Sequence, residues 1–292
     1  MLTRRQLLKQ SAWLAAFAAG FMSWDIPGTE KKRKFRIGAC DWSLGKRSDV
    51  SALEIAKQIG LDGIMVDMGN EQNNLHLRQP EIQKLYKETA SRTGVKISSI
   101  AIGELNNVPY KSEPKTEEWV WDSVDVAKSF GVPVVLLAFF SKNDLRKDDA
   151  GKKEVVNRLK KVAPHAEKNG IILGIESYLS ADEHVDIIQK VGSKNIKVYY
   201  DFRNTADAGY DTIAEFRKLG RQYVCELHMK ENGFLLGSGT LDWPAIGRSV
   251  YEEGFYGDGW MQIEWAKPDK ADLVESYKHN HDLLKSIFSK KA

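Results

Sequence analysis

Four polar residues in the second half of the chain each stand at or near the end of a short apolar run. They are Glu176 in 171–178, Asp201 in 196–204, His228 in 225–230 and Glu264 in 260–265. Three carboxylates and one imidazole form an oxygen-rich ligand set that suits Mn²⁺, Mg²⁺ or Co²⁺, with Zn²⁺ as an alternative. Without a cation, three carboxylates facing one another would repel and raise one another's pKa. A fold that brings these side chains together therefore predicts a divalent metal site.

Short apolar segments rich in β-forming residues alternate with amphipathic segments of helical period from Phe35 onward. The predicted strand segments are 35–44, 63–69, 96–103, 132–140, 171–178, 196–204, 225–230 and 260–265. Several predicted helices end at a glycine just before the next strand, namely Gly60, Gly94, Gly131 and Gly170. Eight such units in ~250 residues predict the α/β class with a parallel sheet closed into a single (β/α)8 barrel. The alternative is an open doubly wound sheet, which usually has fewer strands. No glycine-rich dinucleotide fingerprint follows the first strand to support it.

The predicted barrel explains why these polar residues would meet. Side chains at the carboxyl ends of barrel strands converge on one rim, where the active sites of this architecture lie. The last four predicted strands carry Glu, Asp, His and Glu at those ends. The four residues are therefore expected to form one site.

The order of these four residues resembles the xylose isomerase-like TIM barrels, especially the sugar phosphate isomerase/epimerase branch. The similar stretches are GIES at 174–177, VYYDFRNT at 198–205, LHMKEN at 227–232 with GSGTLDW at 237–243, and IEW at 263–265. The resemblance covers nearly the whole chain after the N-terminal segment. It implies that Glu176, Asp201, His228 and Glu264 bind a divalent metal, expected to be Mn²⁺, and that Glu176 and Glu264 also exchange a substrate proton.

The implied reaction explains the choice of residues. Isomerising or epimerising a sugar requires a proton to leave the carbon beside a carbonyl, and a metal stabilises the negative charge that develops on oxygen. One carboxylate removes the proton, and a second carboxylate on the opposite face can return it with inverted configuration. Glu176 and Glu264 are predicted to take these two roles, with Asp201 and His228 as ligands only.

Three residues at the ends of the predicted strands are expected to contact the substrate. Lys230, just past His228, can hydrogen-bond a sugar hydroxyl or an oxyanion. Trp42 and Trp265 close the first and last predicted strands. The apolar face of a sugar can stack on such rings.

Two further predicted substrate contacts lie beyond the ligands. Asp182 follows Glu176 by six residues, and Asn204 follows Asp201 by three, in a position where many relatives hold a substrate-contacting histidine. Ketose epimerases of the family also carry an arginine soon after the seventh-strand histidine, whereas 230–236 contains none. Both departures argue against a free ketohexose as the substrate.

The N-terminal segment has the layout of an export signal. Arg4 and Arg5 precede the uncharged, mostly apolar stretch 11–24, which is too short for a membrane-spanning helix of about 20 residues. The paired arginines resemble a twin-arginine signal. We therefore expect a signal at 1–27, a linker at 28–34 and the barrel domain at 35–292. The twin-arginine export machinery is then a partner, and the periplasm is the destination. Sugar phosphates are cytoplasmic, so an unphosphorylated carbohydrate is the expected substrate.

Composition excludes some functions and leaves three open. The 43 basic and 40 acidic residues nearly cancel and no long basic run interleaved with aromatics appears, which gives little support to nucleic-acid binding. The two cysteines, Cys40 and Cys225, cannot form a disulfide framework, and the sequence does not predict an oligomeric state.

The first candidate function is a metal-dependent isomerase or epimerase. The second is a lyase or hydratase that uses the same site on oxidised (3-keto) glycosides. The third is a non-catalytic carbohydrate-binding barrel.

Overall fold

Eight parallel strands close into one barrel, in the order in which they occur along the chain. The computed structural model describes residues 35–255 and 259–288, so the predicted signal at 1–27 and linker at 28–34 lie outside the described residues. The strands are β1 Arg36–Cys40, β2 Gly63–Asp67, β3 Lys96–Ile102, β4 Val134–Phe139, β5 Ile172–Ser177, β6 Ile196–Asp201, β7 Val224–Lys230 and β8 Trp260–Glu264. Pairing of Ile37 with Met261 joins β1 to β8 and closes the barrel. The predicted α/β barrel is confirmed, and the open sheet is excluded.

Helices connect the strands along the described chain. They are α1 Ala52–Ile59, α2 Pro80–Thr93, α3 Lys115–Phe130, α4 Asp149–Asn169, α5 Ala181–Val191, α6 Phe202–Asp207, α7 Thr212–Tyr223, α8 Trp243–Glu252 and α9 Leu273–Phe288. The predicted glycine stops are confirmed: Gly60 ends α1 at a φ of 88° and Gly170 ends α4 at 69°. Only glycine adopts such left-handed angles without steric cost, so these positions fix where each helix turns back to the sheet. None of the described helices is long and apolar enough to cross a membrane.

The hydrophobic core has two layers, as expected for a sheet that is covered by helices and filled by its own side chains. The larger cluster packs the outer faces of the strands, such as Ile64 and Ile175, against the helices. A smaller cluster that includes Met65 and Leu136 fills the inside of the barrel. The interior also contains polar pairs, such as Gln262 Nε2 donating to Ser98 Oγ at 2.7 Å. The interior is therefore packed rather than open, and a cavity opens above it at the carboxyl rim.

Most observed strands are slightly shorter than predicted, and the first and sixth differ most, because each ends at least three residues before its predicted end at the carboxyl rim. The first strand ends at Cys40, and a short 3₁₀ helix, Asp41–Leu44, follows it. The sixth ends at Asp201, after which the predicted strand residues 202–204 form the start of α6. In both cases a residue predicted to extend a strand instead begins a helical turn above the barrel.

Candidate metal and substrate site

Glu176, Asp201, His228 and Glu264 converge on one point at the carboxyl rim. One ligand atom from each can be chosen so that all four lie within 4.8 Å of one another. Strand register produces this convergence, because Asp201 pairs with His228 across β6 and β7, and Lys230 pairs with Glu264 across β7 and β8. All four side chains are buried. The sequence therefore placed them on the correct elements, and the barrel brings them together.

The two carboxylate oxygens of Asp201 differ, because one accepts hydrogen bonds from the backbone and the other does not. Asp201 caps α6: Oδ1 accepts hydrogen bonds from the backbone N–H groups of Arg203 at 2.7 Å and Asn204 at 2.9 Å. Oδ2 is buried and has no hydrogen-bond partner among the described residues. A buried carboxylate oxygen without a hydrogen bond is costly, and this one belongs to the cluster of four candidate ligands, so it is suited to bind a cation there.

His228 lies at the centre of the carboxylates and is fully buried. Its Nδ1 is 2.9 Å from Glu176 Oε1 and 3.7 Å from Glu264 Oε2. Its other nitrogen, Nε2, lies 3.3 Å from the Sγ atom of Cys40. The Cys40 thiol thus contacts Nε2 on one side of the imidazole ring, and Nδ1 faces the carboxylates on the other side.

The two glutamates are held by three residues of the surrounding wall. Trp42 Nε1 donates to Glu264 Oε1 at 2.7 Å, and Lys230 Nζ lies 2.9 Å from Glu264 Oε2. Asn204 bridges the two sides: its Nδ2 donates to Glu176 Oε1 at 3.0 Å, and its Oδ1 accepts from Lys230 Nζ at 3.1 Å. This network fixes both carboxylates and leaves little freedom for either to turn away.

Burial and crowding shift the pKa values of these groups. Burial raises the pKa of Asp201 to about 7, with Lys230 opposing the rise and Glu176 adding to it. Burial would lower the pKa of His228, but the charges of Glu176 and Glu264 outweigh it and raise the pKa to about 9. Burial also opposes ionisation of Glu264, yet Lys230 and His228 hold the pKa of that carboxyl below its ordinary value. The cluster therefore carries an excess of negative charge that protons offset.

A divalent cation fits this donor set. Three carboxylates and a histidine nitrogen match the ligands that hard or borderline divalent metals prefer. The unpartnered Asp201 Oδ2 supplies the free oxygen that such an ion needs. A cation would also offset the carboxylate charge that raises the pKa of His228.

A cavity of about 530 Å³ opens beside the four ligands. Four of the five residues predicted to contact the substrate line it, namely Trp42, Asn204, Lys230 and Trp265. Trp265 stands at the rim, where the residue is 48% exposed and has a φ of 44°. The cavity has the size of a small-molecule site, about 300–1,000 Å³.

Asp182 is the exception, and its predicted substrate contact needs correction. It lies in the first turn of α5, where its side chain is 84% exposed and 3.5 Å from Lys218. A capping box between Ser180 and Glu183 starts the helix directly after the β5 loop. Asp182 therefore faces solvent instead of the cavity, and a six-residue spacing from Glu176 does not decide where a side chain points.

Sequence reasoning missed a second polar group at the rim, formed by Arg47, Asp67 and Gly103. All three line the cavity. Arg47 Nη2 donates to Asp67 Oδ2 at 3.1 Å. Asp67 is the last residue of β2, so the rule that identified the four ligands also applied to it. Arg47 lies in a loop and carries no comparable signal.

The comparisons with known proteins agree with this architecture. The model of the family described as xylose isomerase-like TIM barrel matches residues 53–287. A 2-epi-5-epi-valiolone 7-phosphate 2-epimerase from Actinoplanes sp. is 25% identical over 265 residues, which cover 83% of this chain and 97% of that protein.

Two solved structures share the fold. D-psicose 3-epimerase from Clostridium cellulolyticum H10, solved with D-tagatose, has a TM-score of 0.74 and 18% identity, covering 87% of this chain and 99% of its own. The 3-keto-D-glucoside 4-epimerase from E. coli, in its apo form, has a TM-score of 0.71 and 15% identity, covering 87% of this chain and 100% of its own. With the match to the family model, the closed barrel places the chain in a known group: it belongs to the xylose isomerase-like TIM barrel family.

Proposed function

We propose that the protein is a metal-dependent isomerase or epimerase that moves a proton on the carbon next to a carbonyl of an unphosphorylated carbohydrate. The observation that carries the proposal is the pairing of two carboxylates in one cavity. Glu176 and Glu264 both line it, and each has an oxygen within 4 Å of the same His228 nitrogen. The epimerases among the similar proteins support the same reaction class.

Glu176, Asp201, His228 and Glu264 would hold the cation. When bound, the cation supplies Lewis-acid stabilisation of negative charge on a substrate oxygen. A non-catalytic barrel would have no need for two carboxylates fixed in this way, so we place that alternative last.

The protein's own residues account for the proton transfer. Glu264 has a lowered pKa, so it is ionised near neutral pH and can accept a proton from carbon. Glu176 is the second proton carrier, held in place by Asn204. Lys230 Nζ can donate to the oxygen on which charge develops, and Trp42 and Trp265 offer rings against which the sugar can pack.

The charge of the cavity supports an unphosphorylated substrate. Two basic residues line it in the described part of the chain, and each is already paired with a carboxylate: Arg47 with Asp67, and Lys230 with Glu264. A phosphate usually requires a cation or a cluster of N–H donors that is not already neutralised. The related 7-phosphate epimerase, at 25% identity, would then differ from this protein in its substrate's charge.

The proposal includes export to the periplasm by the twin-arginine pathway. The pair Arg4 and Arg5 before the apolar stretch 11–24 supports it. Replacing both arginines with lysine should retain the protein in the cytoplasm, as measured by cell fractionation. Normal export of that variant would remove the twin-arginine assignment.

The experiment that tests the reaction is hydrogen exchange in D₂O. The Mn²⁺-loaded protein is incubated with free sugars and with 3-keto-glycosides, and the products are followed by NMR. An isomerase or epimerase should place deuterium beside the carbonyl of a product with the same composition as the substrate. A product that has lost its leaving group would establish a lyase, the runner-up at this site. Binding without exchange or product would establish a carbohydrate-binding protein.

A further inference from the structure

Arg47 gives the cavity a second polar end, away from the four candidate ligands. It lies in the connection between β1 and α1. Its partner Asp67 is the last residue of β2, and Gly103, whose N–H also donates to Asp67, follows β3. In a closed barrel with strands in chain order, β2 and β3 stand across from β6 and β7. A ligand that fills the cavity would therefore contact the candidate metal cluster at one end and Arg47 at the other.

The buried carboxylate of Asp67 fixes the position of the Arg47 side chain. Asp67 is fully buried, and its Oδ1 accepts a hydrogen bond from the backbone N–H of Gly69 at 2.8 Å. Its Oδ2 accepts from Arg47 Nη2 at 3.1 Å and from the backbone N–H of Gly103 at 3.2 Å. Both oxygens of the Asp67 carboxylate thus accept hydrogen bonds, and the half-exposed Arg47 guanidinium is one of the donors.

Gly103 leaves the space that this pair requires. A Cβ atom at this position would lie 2.4 Å from Arg47 Nη2 and 2.6 Å from Asp67 Oδ2. Both distances are far below van der Waals contact, so any side chain here would push the guanidinium away from Asp67. Glycine at position 103 therefore leaves the space in which the Arg47 guanidinium contacts Asp67.

The donors of Arg47 remain available to a ligand. Within the described residues, its only hydrogen bond goes to Asp67, which uses one of its several N–H groups. The side chain is 42% exposed and lines the cavity. Asn106 also lines the cavity, and its Oδ1 accepts from the backbone N–H of Phe140, which leaves its amide N–H groups without a partner among the described residues. Since Asp67 already neutralises the guanidinium, these donors suit uncharged hydroxyl oxygens.

The size of the cavity exceeds one sugar ring. Its 530 Å³ would hold about 18 water-sized groups at roughly 30 Å³ each, more than the carbon and oxygen atoms of one hexose. Between the two polar ends, the wall carries apolar and aromatic side chains, including Leu136, Phe140 and Tyr178. Such a wall packs against the apolar faces of sugar rings.

We propose that Arg47, together with Asn106 of the same cavity wall, forms a second sugar subsite, so that the substrate is a disaccharide or other glycoside. One ring binds at the four candidate ligands, and Arg47 donates to hydroxyl groups of the next ring. The assignment of the first ring as the reacting one rests on the proposed function. The existence of the second subsite does not.

The test measures the affinity of the full protein for glucose, trehalose, maltose and sucrose, and for the 3-keto forms of the three disaccharides, by titration calorimetry. At least one disaccharide should bind about tenfold or more tightly than glucose, on the scale of one hydrogen bond from a charged donor. Arg47→Met should remove that gain and leave glucose affinity unchanged. Arg217→Met is the matched control, because Arg217 is also half exposed and paired with a carboxylate, Glu252, but lies on α7 outside the cavity lining.

Two further variants separate recognition from folding. Arg47→Lys keeps a positive charge beside Asp67 but loses the planar donor group, so it should fold and still lose most of the disaccharide gain. Gly103→Ala should displace the guanidinium and give the same loss. Disaccharide affinity no better than glucose affinity, or equal weakening of both in Arg47→Lys, would overturn the subsite. Inorganic phosphate that competes with the sugars in an Arg47-dependent manner would also overturn it, since the site would then bind anions.

The two proposals fail in different ways. Deuterium exchange on a free sugar with no Arg47-dependent gain for any disaccharide would leave the reaction standing and remove the subsite. An Arg47-dependent disaccharide gain without exchange or product would leave the subsite standing and remove the reaction.

Discussion

Two groups of buried carboxylates lie at the same rim of the barrel, and their surroundings differ. Asp41 and Asp67, at the ends of β1 and β2, are surrounded by backbone donors: Asp41 Oδ2 accepts from the N–H groups of Ser48 at 3.1 Å and Asp67 at 3.0 Å. Asp67 has both oxygens hydrogen-bonded, including one bond to Arg47. In the candidate ligand cluster on β5–β8, backbone donors of the described residues reach one oxygen of Asp201 and none of the oxygens of Glu176 and Glu264. Asp41 Oδ1 is also without a hydrogen-bond partner among the described residues, but Asp41 does not belong to that cluster.

The difference separates a structural pair of carboxylates from a ligand set. The backbone hydrogen bonds tie Asp41 and Asp67 to the loops above β1–β3. The ligand cluster instead presents side-chain oxygens to one point, where only Lys230 and His228 offset their charge. Burial and clustering are common to both groups, so neither feature alone identifies a metal site. What distinguishes the ligand set is the convergence of oxygens that the backbone does not use.

The largest expected effect is a loss of turnover, and only substitutions in the candidate ligand cluster on β5–β8 should cause it. Glu264→Gln keeps the shape and an oxygen ligand but cannot accept a proton, so turnover should fall by about 10²–10⁴-fold. Glu176→Gln should do the same. Asp41→Asn, the matched control from the other group, should stay within about threefold of the wild type, because Asp41 is fully buried and does not line the cavity. Steady-state rates on the substrate found by NMR measure all three. Near-normal turnover in both glutamine variants would place the chemistry elsewhere.

The next effect concerns metal-linked stability. Mn²⁺ at 100 times its dissociation constant should stabilise the fold by about 2.7 kcal/mol. In a domain of this size, that corresponds to a rise in melting temperature of roughly 5–10 °C. Asp201→Asn and His228→Ala should lose this gain and the bound metal with it, whereas Asp41→Asn should keep both. Thermal unfolding with Mn²⁺ or EDTA, together with metal analysis, measures the effect. An undiminished gain in both ligand variants would show that the metal binds at another site.

The smallest effect is on the pH dependence of stability in the Asp41–Asp67 pair. Burial raises the pKa of Asp41 well above its ordinary value, and the neighbouring charge of Asp67 adds to the rise. The folded state therefore keeps a proton that the unfolded chain releases above about pH 4, so this pair's contribution to stability falls as pH rises. The stability of the wild type relative to Asp41→Asn should fall with rising pH by at most about 1.4 kcal/mol per unit, until the pH reaches the raised pKa. Urea unfolding of both proteins from pH 4 to pH 8 measures it. A constant difference across that range would mean that Asp41 is ionised in the folded state.

The sequence predicted the architecture because the pattern is local. Each strand is a short apolar run, and several helices end at a glycine such as Gly60, which the structure confirms. Strand order then follows from the chain order of a parallel barrel. The four candidate ligands could be found by the same reasoning, since a polar residue at the end of each buried run needs no knowledge of the loops.

The residues that were misplaced or missed depend on loops, whose paths the sequence does not dictate. Asp182 was misplaced because the capping box at Ser180 starts α5 early and turns its side chain to solvent. Arg47 was missed because its position depends on the void at Gly103 and on the anchor at Asp67, two contacts distant in sequence. A rule based on spacing along one segment cannot find contacts of this kind.

The pairing of the first strand with the last also sets an order of events during synthesis. β1 and β8 meet through pairs such as Ile37 with Met261, and β8 supplies Glu264, the last of the four candidate ligands. A ribosome must therefore release nearly the whole barrel before the sheet can close or the fourth ligand can arrive. A nascent chain that stops short of β8 has neither a sealed sheet nor a complete ligand set. Closure of the barrel and completion of the candidate ligand set are thus both late events that depend on the same short strand.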